Sequence, residues 1–345
     1  MRSASPTGKR SWRRPLSAAV ALAVIAVTYA VVLPAIADYG EVWESVSAMS
    51  RTEAAALASV TVVYLASFGP AWSAALPGLR HRQAVTVALA GTATANVAPA
   101  GAAVSVGISF TMLRGWGFER APITLAIIVT GVWNQLVNVT LPVVALGLLT
   151  LGGERSGALQ TLAPIAVLVL GGVVTTFALV LRSDAEAQRV GRAWDRVASA
   201  ALRFVRRGPV AGSARTFTQF RHDSIGLLRD RWPMITLTTV GAALTAFLVL
   251  WVAVRAVGID TADVTFSECF AAWALARLLG TVPITPGGLG IVDLGLAGAL
   301  RGFGGPEAEV VAAVLVFRFL TYVPPILLGG VAALTWRRHH PPTDA

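Results

Sequence analysis

Four ionisable residues stand where ionisable residues are costly. Glu268, Arg277, Asp293 and Arg318 fall within or beside apolar stretches of the C-terminal half. A charge at the centre of a bilayer costs roughly 2.5–3.5 kcal/mol on insertion scales. Two arginines can clamp a phosphate, because the planar guanidinium fork matches its oxygens. A carboxylate near them would act as counter-ion or proton-coupled group. Alternatively, an internal Arg–Asp pair locks the second broken segment to the last helix, and both readings hold if a substrate displaces the carboxylate. Glu268 closes the acidic stretch GIDTADVTFSE and reads as a solvated helix start near the outer interface.

Asp293 closes the stretch TVPITPGGLGIVD, which also holds Thr285, Pro286, Gly287 and Gly288. Irregular backbone at membrane depth is tolerated only where protein or a watery cavity covers it. The bend must therefore face an interior. The helix after it, expected from about Gly287, would aim free N–H groups and its positive dipole end at an anion such as a phosphate. A second break, ANVAPAG, supplies Asn96, Pro99 and Gly101. Asn134 and Asn138 lie four apart and share a helix face with Gln135 nearby. They read either as interhelical glue or as the lining of a polar groove.

The elements that must position these groups are apolar and long. The chain has 345 residues, 55% hydrophobic and 13% charged, with mean hydropathy +0.68. Soluble domains carry about 25% charged residues, so the composition excludes an ordinary soluble fold. Apolar segments run over 16–37, 54–76, 85–113, 122–151, 162–181, 234–257, 266–300 and 308–336. Those at 85–113 and 266–300 are broken near their middles. Their arms of about 11–17 residues fall mostly short of a ~30 Å hydrocarbon core. The expected fold is an all-α polytopic membrane protein with about six spanning helices and two re-entrant helical hairpins. LRGWGF (113–118) echoes LRGFGG (300–305), and the same offset places Pro99 on Pro286 and Gly101 on Gly288. Each half then holds two spans, a hairpin and a span, inserted with opposite orientation: the inverted repeat of many transporters.

Charge orients the chain. Lys9, Arg10, Arg13 and Arg14 precede the first span, and an acidic loop follows it. Cytoplasmic loops carry the Lys/Arg excess, which puts both termini on the cytoplasmic side of a bacterial inner membrane. Residues 1–15 read as a basic cytoplasmic N-terminus, 16–336 as one transmembrane domain and 337–345 as a cytoplasmic tail. The halves are 16–151 and 162–181 plus 234–336. Between the spans of the second half lies an Arg-rich amphipathic segment, 182–231. Ala35-Ile36-Ala37 resembles a signal-peptide cleavage site, but the apolar run is long, which favours an uncleaved helix. Arg255 and Arg301 are mild exceptions to the charge rule.

In 182–231, Val190, Trp194, Val197, Ala201 and Phe204 make an apolar stripe among arginines. Such a helix reads either as an inner-leaflet helix, with Arg189, Arg192, Arg196 and Arg203 meeting anionic headgroups, or as a plain connector. The net charge of +10 is thus a membrane feature, and no nucleic-acid motif accompanies it. One cysteine, Cys269, and four histidines without ligand spacing suggest no metal and no cofactor. No nucleophile–base pair or paired-carboxylate site is visible, so the chain is not expected to be an enzyme.

PITPGGLGIVD (283–293), FRFLTYVPPILLGG (317–330) and NVAPAG (96–101) resemble the lysylphosphatidylglycerol synthase transmembrane-region family, also described as flippase-like. The family's best-understood members move aminoacylated phosphatidylglycerol between leaflets, so the resemblance implies a protein that moves a lipid. In those members a soluble aminoacyl-transfer domain follows the membrane part, which a chain ending at Ala345 is expected to lack. Many members place an arginine and a glutamate just after the first bend, where this chain has Ala100, Gly101, Ala102 and Ala103. Asp293 stands where glutamate is common. The expected function is binding and movement of an anionic phospholipid or polyprenyl-phosphate-linked substrate. The alternative is a non-transporting scaffold for a separate glycosyl- or aminoacyl-transferase.

Overall fold

The computed structural model describes residues 39–98, 101–151, 168, 171–172, 175–177, 179–180, 182–204, 213–280 and 288–336. Among them there are helices and no strand. In chain order these are α1 (Tyr39–Ser47), α2 (Arg51–Ala66), α3 (Pro70–Ala75), α4 (His81–Val97), α5 (Gly101–Gly115), α6 (Arg120–Leu151), α7 (Asp184–Phe204), α8 (Ser213–Ala256), α9 (Phe266–Leu279), α10 (Ile291–Gly302) and α11 (Glu307–Thr335). The expected span 16–37 and most of 162–181 lie outside the described residues.

Four stretches are long and apolar enough to cross a membrane: Arg51–Ala75, Arg120–Leu151, Gly226–Ala256 and Glu307–Thr335. Leu237, Phe319, Leu327 and Leu334 are exposed on α8 and α11, as lipid-facing side chains are. The chain is a multi-pass helical membrane protein.

Both breaks fall where the sequence placed them. α4 ends at Val97 and α5 begins at Gly101; α9 ends at Leu279 and α10 begins at Ile291. Each pair of arms packs together, α4 on α5 and α9 on α10. At 17, 15, 14 and 12 residues, each arm rises about 18–26 Å, short of a ~30 Å core. Gly101 permits the first turn: a Cβ there would lie 2.1 Å from the Ala95 carbonyl oxygen. Gly288 and Gly290 hold φ of 72° and 87°, the left-handed region that glycine enters without steric penalty.

The pairs are held by the long helices. α4 packs on α11, and α9 packs on α6. The largest buried cluster joins α2, α6, α8, α9, α10 and α11. At its centre Phe247 meets Phe266 and Phe270 edge-on, with ring centroids 5.1 and 5.0 Å away. Aromatic pairs favour this geometry because ring edges are positive and faces negative.

Several expectations change. The acidic loop after the first span contains α1, which packs on α11. The span at 54–76 breaks at Ser67–Gly69, because Pro70 has no N–H to continue the helix and sits at a first-turn position of α3. Within 182–231, α7 packs along α8, and α8 runs from Ser213 through Pro233 into the membrane stretch. Arg189, Arg192 and Arg196 are exposed on α7, while the Arg203 side chain lies outside the described residues. Glu268 is buried rather than solvated; its carboxylate accepts from Thr265 N (2.7 Å) and Oγ1 (2.6 Å), capping α9.

Both exceptions to the charge rule have local partners. Arg255 donates to the Ile259 carbonyl (2.6 Å) and to that of Val264, satisfying the turn after α8. Arg301 pairs with Glu307 across the turn between α10 and α11.

Candidate functional site

Arg318 lies on the twelfth residue of α11, about 16 Å along the helix from its start. That is too far for its head to reach the nearer end by snorkelling along the helix. Its Nε donates instead to Oδ1 of Asp293 on α10. The other carboxylate oxygen, Oδ2, accepts the Gly290 N–H at 2.8 Å. Asp293 is 1% exposed and Arg318 11%, so the pair is desolvated and bridges α10 to α11. The ion pair expected as an internal lock is therefore present. The phosphate expected at the start of this helix meets a different arrangement. α10 begins at Ile291, and its own Asp293 carboxylate occupies the first turn, where a negative charge complements the helix dipole.

Arg277 is not part of that pair. Its Nη2 donates to Asn138 Oδ1 at 2.6 Å, and Asn138 Nδ2 donates to Gln135 Oε1 at 3.1 Å. The guanidinium also lies over the Trp273 ring one turn earlier, 4.9 Å from its centroid, while Arg318 lies 5.0 Å from that of Tyr322. A ring face attracts a cation and helps hold it without a carboxylate. Among the described residues, two buried donors remain without a hydrogen-bond partner here: Arg277 Nε and Arg318 Nη2.

Both arginines line one partly open cavity of about 410 Å³, together with Asn96, Asn134, Tyr64 and Tyr322. Of the residues expected to form the site, Arg277, Arg318 and Asn96 meet on this cavity, with Asp293 behind Arg318. Gly288 is buried in the turn leading into α10, and Gly101 in the turn of the first pair. Thr285, Pro286, Gly287 and Pro99 lie outside the described residues. Sequence reasoning missed Tyr64, Trp273 and Tyr322. A tyrosine in an otherwise apolar run marks the first, and spacing of four from an arginine marks the other two.

Arg318 pairs with the Asp293 carboxylate, Arg277 has an amide partner, and one donor on each guanidinium is unmatched. A basic cavity among the helices of a multi-pass membrane protein defines the class. Within that class, the chain belongs to the family described as the lysylphosphatidylglycerol synthase TM region, which it matches over residues 18–329. It is also similar to a phosphatidylglycerol lysyltransferase of Staphylococcus haemolyticus (strain JCSC1435), 33% identical over 67 residues. That match spans 19% of this chain and 8% of the lysyltransferase.

Proposed function

We propose that this protein binds an anionic phospholipid or polyprenyl-phosphate-linked substrate at Arg277 and Arg318 and moves its head across the bilayer, without catalysing a reaction. The observation that carries the reading is the shared cavity, with an unmatched donor on each arginine. A buried donor without a partner costs roughly 1–3 kcal/mol, and a phosphate oxygen relieves that cost. The short paired arms α4/α5 and α9/α10 then act as re-entrant hairpins of an inverted repeat, beside about six spans. Rocking one half against the other gives the head alternating access. The basic N-terminus and the α7–α8 extension face the cytoplasm of a bacterial inner membrane, where exposed arginines meet anionic headgroups.

The test is lipid exchange in reconstituted vesicles carrying a fluorescent anionic lipid. Wild-type protein should accelerate exchange well above empty vesicles, and Arg318→Ala and Asp293→Asn should bring it back toward that baseline. If both variants match wild type, or wild type matches empty vesicles, the protein does not move lipid through this cavity.

A further inference from the structure

The arginine cavity has a neighbour. A second, partly open cavity of about 520 Å³ adjoins it, and the two share Thr92, Asn134 and Arg277 among their walls. Both volumes suit a small polar group, since ligand pockets run from about 300 to 1,000 Å³. Residues of α9, α10 and α11 line the first cavity together with Tyr64, Thr92, Asn96, Asn134 and Ala246; both arms of the α4/α5 pair and α6 line the second together with residues of α2, α3 and α8 and with Arg277.

Their chemistry differs. The second cavity is lined by the hydroxyls of Ser67, Thr92, Ser105, Ser109, Thr130 and Thr239 and the amide of Asn134. Among the described residues, Arg277 is its one charged wall, and no carboxylate lines it. Several hydroxyl protons are committed: Thr130 Oγ1 donates to the Ala126 carbonyl (2.8 Å), Thr239 Oγ1 to that of Ile235 (2.7 Å) and Ser67 Oγ to that of Tyr64 (2.6 Å). Each of these oxygens keeps a lone pair. The wall thus offers neutral acceptors and an amide beside a guanidinium. Among the described residues a headgroup ammonium would find no counter-charge on this wall and would repel Arg277. A headgroup hydroxyl would find acceptors for its protons.

We infer that the ligand is a lipid phosphate whose head carries an uncharged, hydroxyl-rich group, with the phosphate at Arg277 and Arg318 and the polyol in the second cavity. This rests on the phosphate-binding reading above and adds the class of head.

The experiment is competition for the purified full chain, read by native mass spectrometry. The probes are phosphatidylinositol, phosphatidylglycerol, lysyl-phosphatidylglycerol and phosphatidic acid with matched acyl chains. Phosphatidylinositol and phosphatidylglycerol should bind at least tenfold more tightly than phosphatidic acid, and the lysyl lipid most weakly. The ratio of the first two separates a ring-sized head from a glycerol head. Thr130→Val with Thr239→Val keeps side-chain shape, removes two acceptors and should move the polyol preference toward one. Equal binding of all four, preference for the lysyl head, or a preference unmoved by the double variant overturns the inference. Arg277→Gln and Arg318→Gln separate the two readings. If they weaken every lipid but the wild type shows no head preference, the inference alone fails. If they weaken none, the phosphate site fails with it.

Discussion

Asp293 divides its carboxylate between two helices. Oδ1 accepts from Arg318 on α11, and Oδ2 accepts the Gly290 N–H that opens α10. One side chain thus caps its own helix, neutralises a buried cation and joins the second helix pair to the last span. Removing it leaves Arg318 buried without a counter-charge. Asp293→Ala should lower stability by about 3–5 kcal/mol, read by unfolding in detergent. A double change, Asp293→Leu with Arg318→Met, should recover much of the loss, because both desolvated charges go together. Recovery no better than either single variant would mean that the pair is not coupled.

Arg277 behaves differently, because its polar partner is an amide. Arg277→Met removes the charge and leaves Asn138 Oδ1 short of one donor, a cost of roughly 1–3 kcal/mol. Affinity for anionic lipid should fall at least tenfold, about 1.4 kcal/mol. Asn138→Leu should lower stability by a similar amount while keeping the charge in the cavity, so lipid binding should weaken far less. Equal lipid affinity for wild type and Arg277→Met would remove Arg277 from the site.

Much of this site was legible because strong breakers and charges stand out in an apolar chain. ANVAPAG and TVPITPGGLG mark both helix breaks, and Arg277, Asp293 and Arg318 were marked by being charged at all. What the sequence left open was how these three pair. Arg277 and Arg318 carry the same charge, and whether Asp293 sits near one, both or neither depends on how α9, α10 and α11 pack. The break at Ser67–Gly69 was missed because Gly-Pro in an apolar run is compatible with a kinked span. The aromatic platforms under the arginines were missed because tryptophan and tyrosine look the same in a core as beside a cation.

The re-entrant arrangement predicts which loops share a side of the membrane. Cys269 is the only cysteine and is buried, so a Cys269→Ala background allows single-cysteine labelling. Arg82→Cys and Glu119→Cys, flanking the α4/α5 pair, should react with a membrane-impermeant reagent from one side. Asp260→Cys and Glu307→Cys, flanking the α9/α10 pair, should react from the other. Labelling of Arg82→Cys and Glu119→Cys from opposite sides would turn that pair into a full crossing and end the inverted-repeat reading.

The junction between α4 and α11 offers a sharper test of packing, because two adjacent glycines there have opposite surroundings. A Cβ on Gly329 would lie 2.2 Å from the Leu89 carbonyl oxygen and 2.6 Å from the Ala93 Cβ. Backbone cannot yield as a flexible side chain can, so the helices must separate. A Cβ on Gly330 meets nothing within 4 Å. Gly329→Ala should therefore lower stability by about 1–3 kcal/mol, whereas Gly330→Ala should raise it by up to about 1 kcal/mol through helix propensity. The first change should also reach the site. α4 carries Thr92 and Asn96, α11 carries Arg318, and all three line the arginine cavity. Pushing these helices apart widens the space between polar wall and cation, so Gly329→Ala should weaken anionic-lipid binding while Gly330→Ala leaves it unchanged. Identical behaviour of the two alanine variants, in unfolding and in lipid binding, would show that α4 and α11 do not cross this closely.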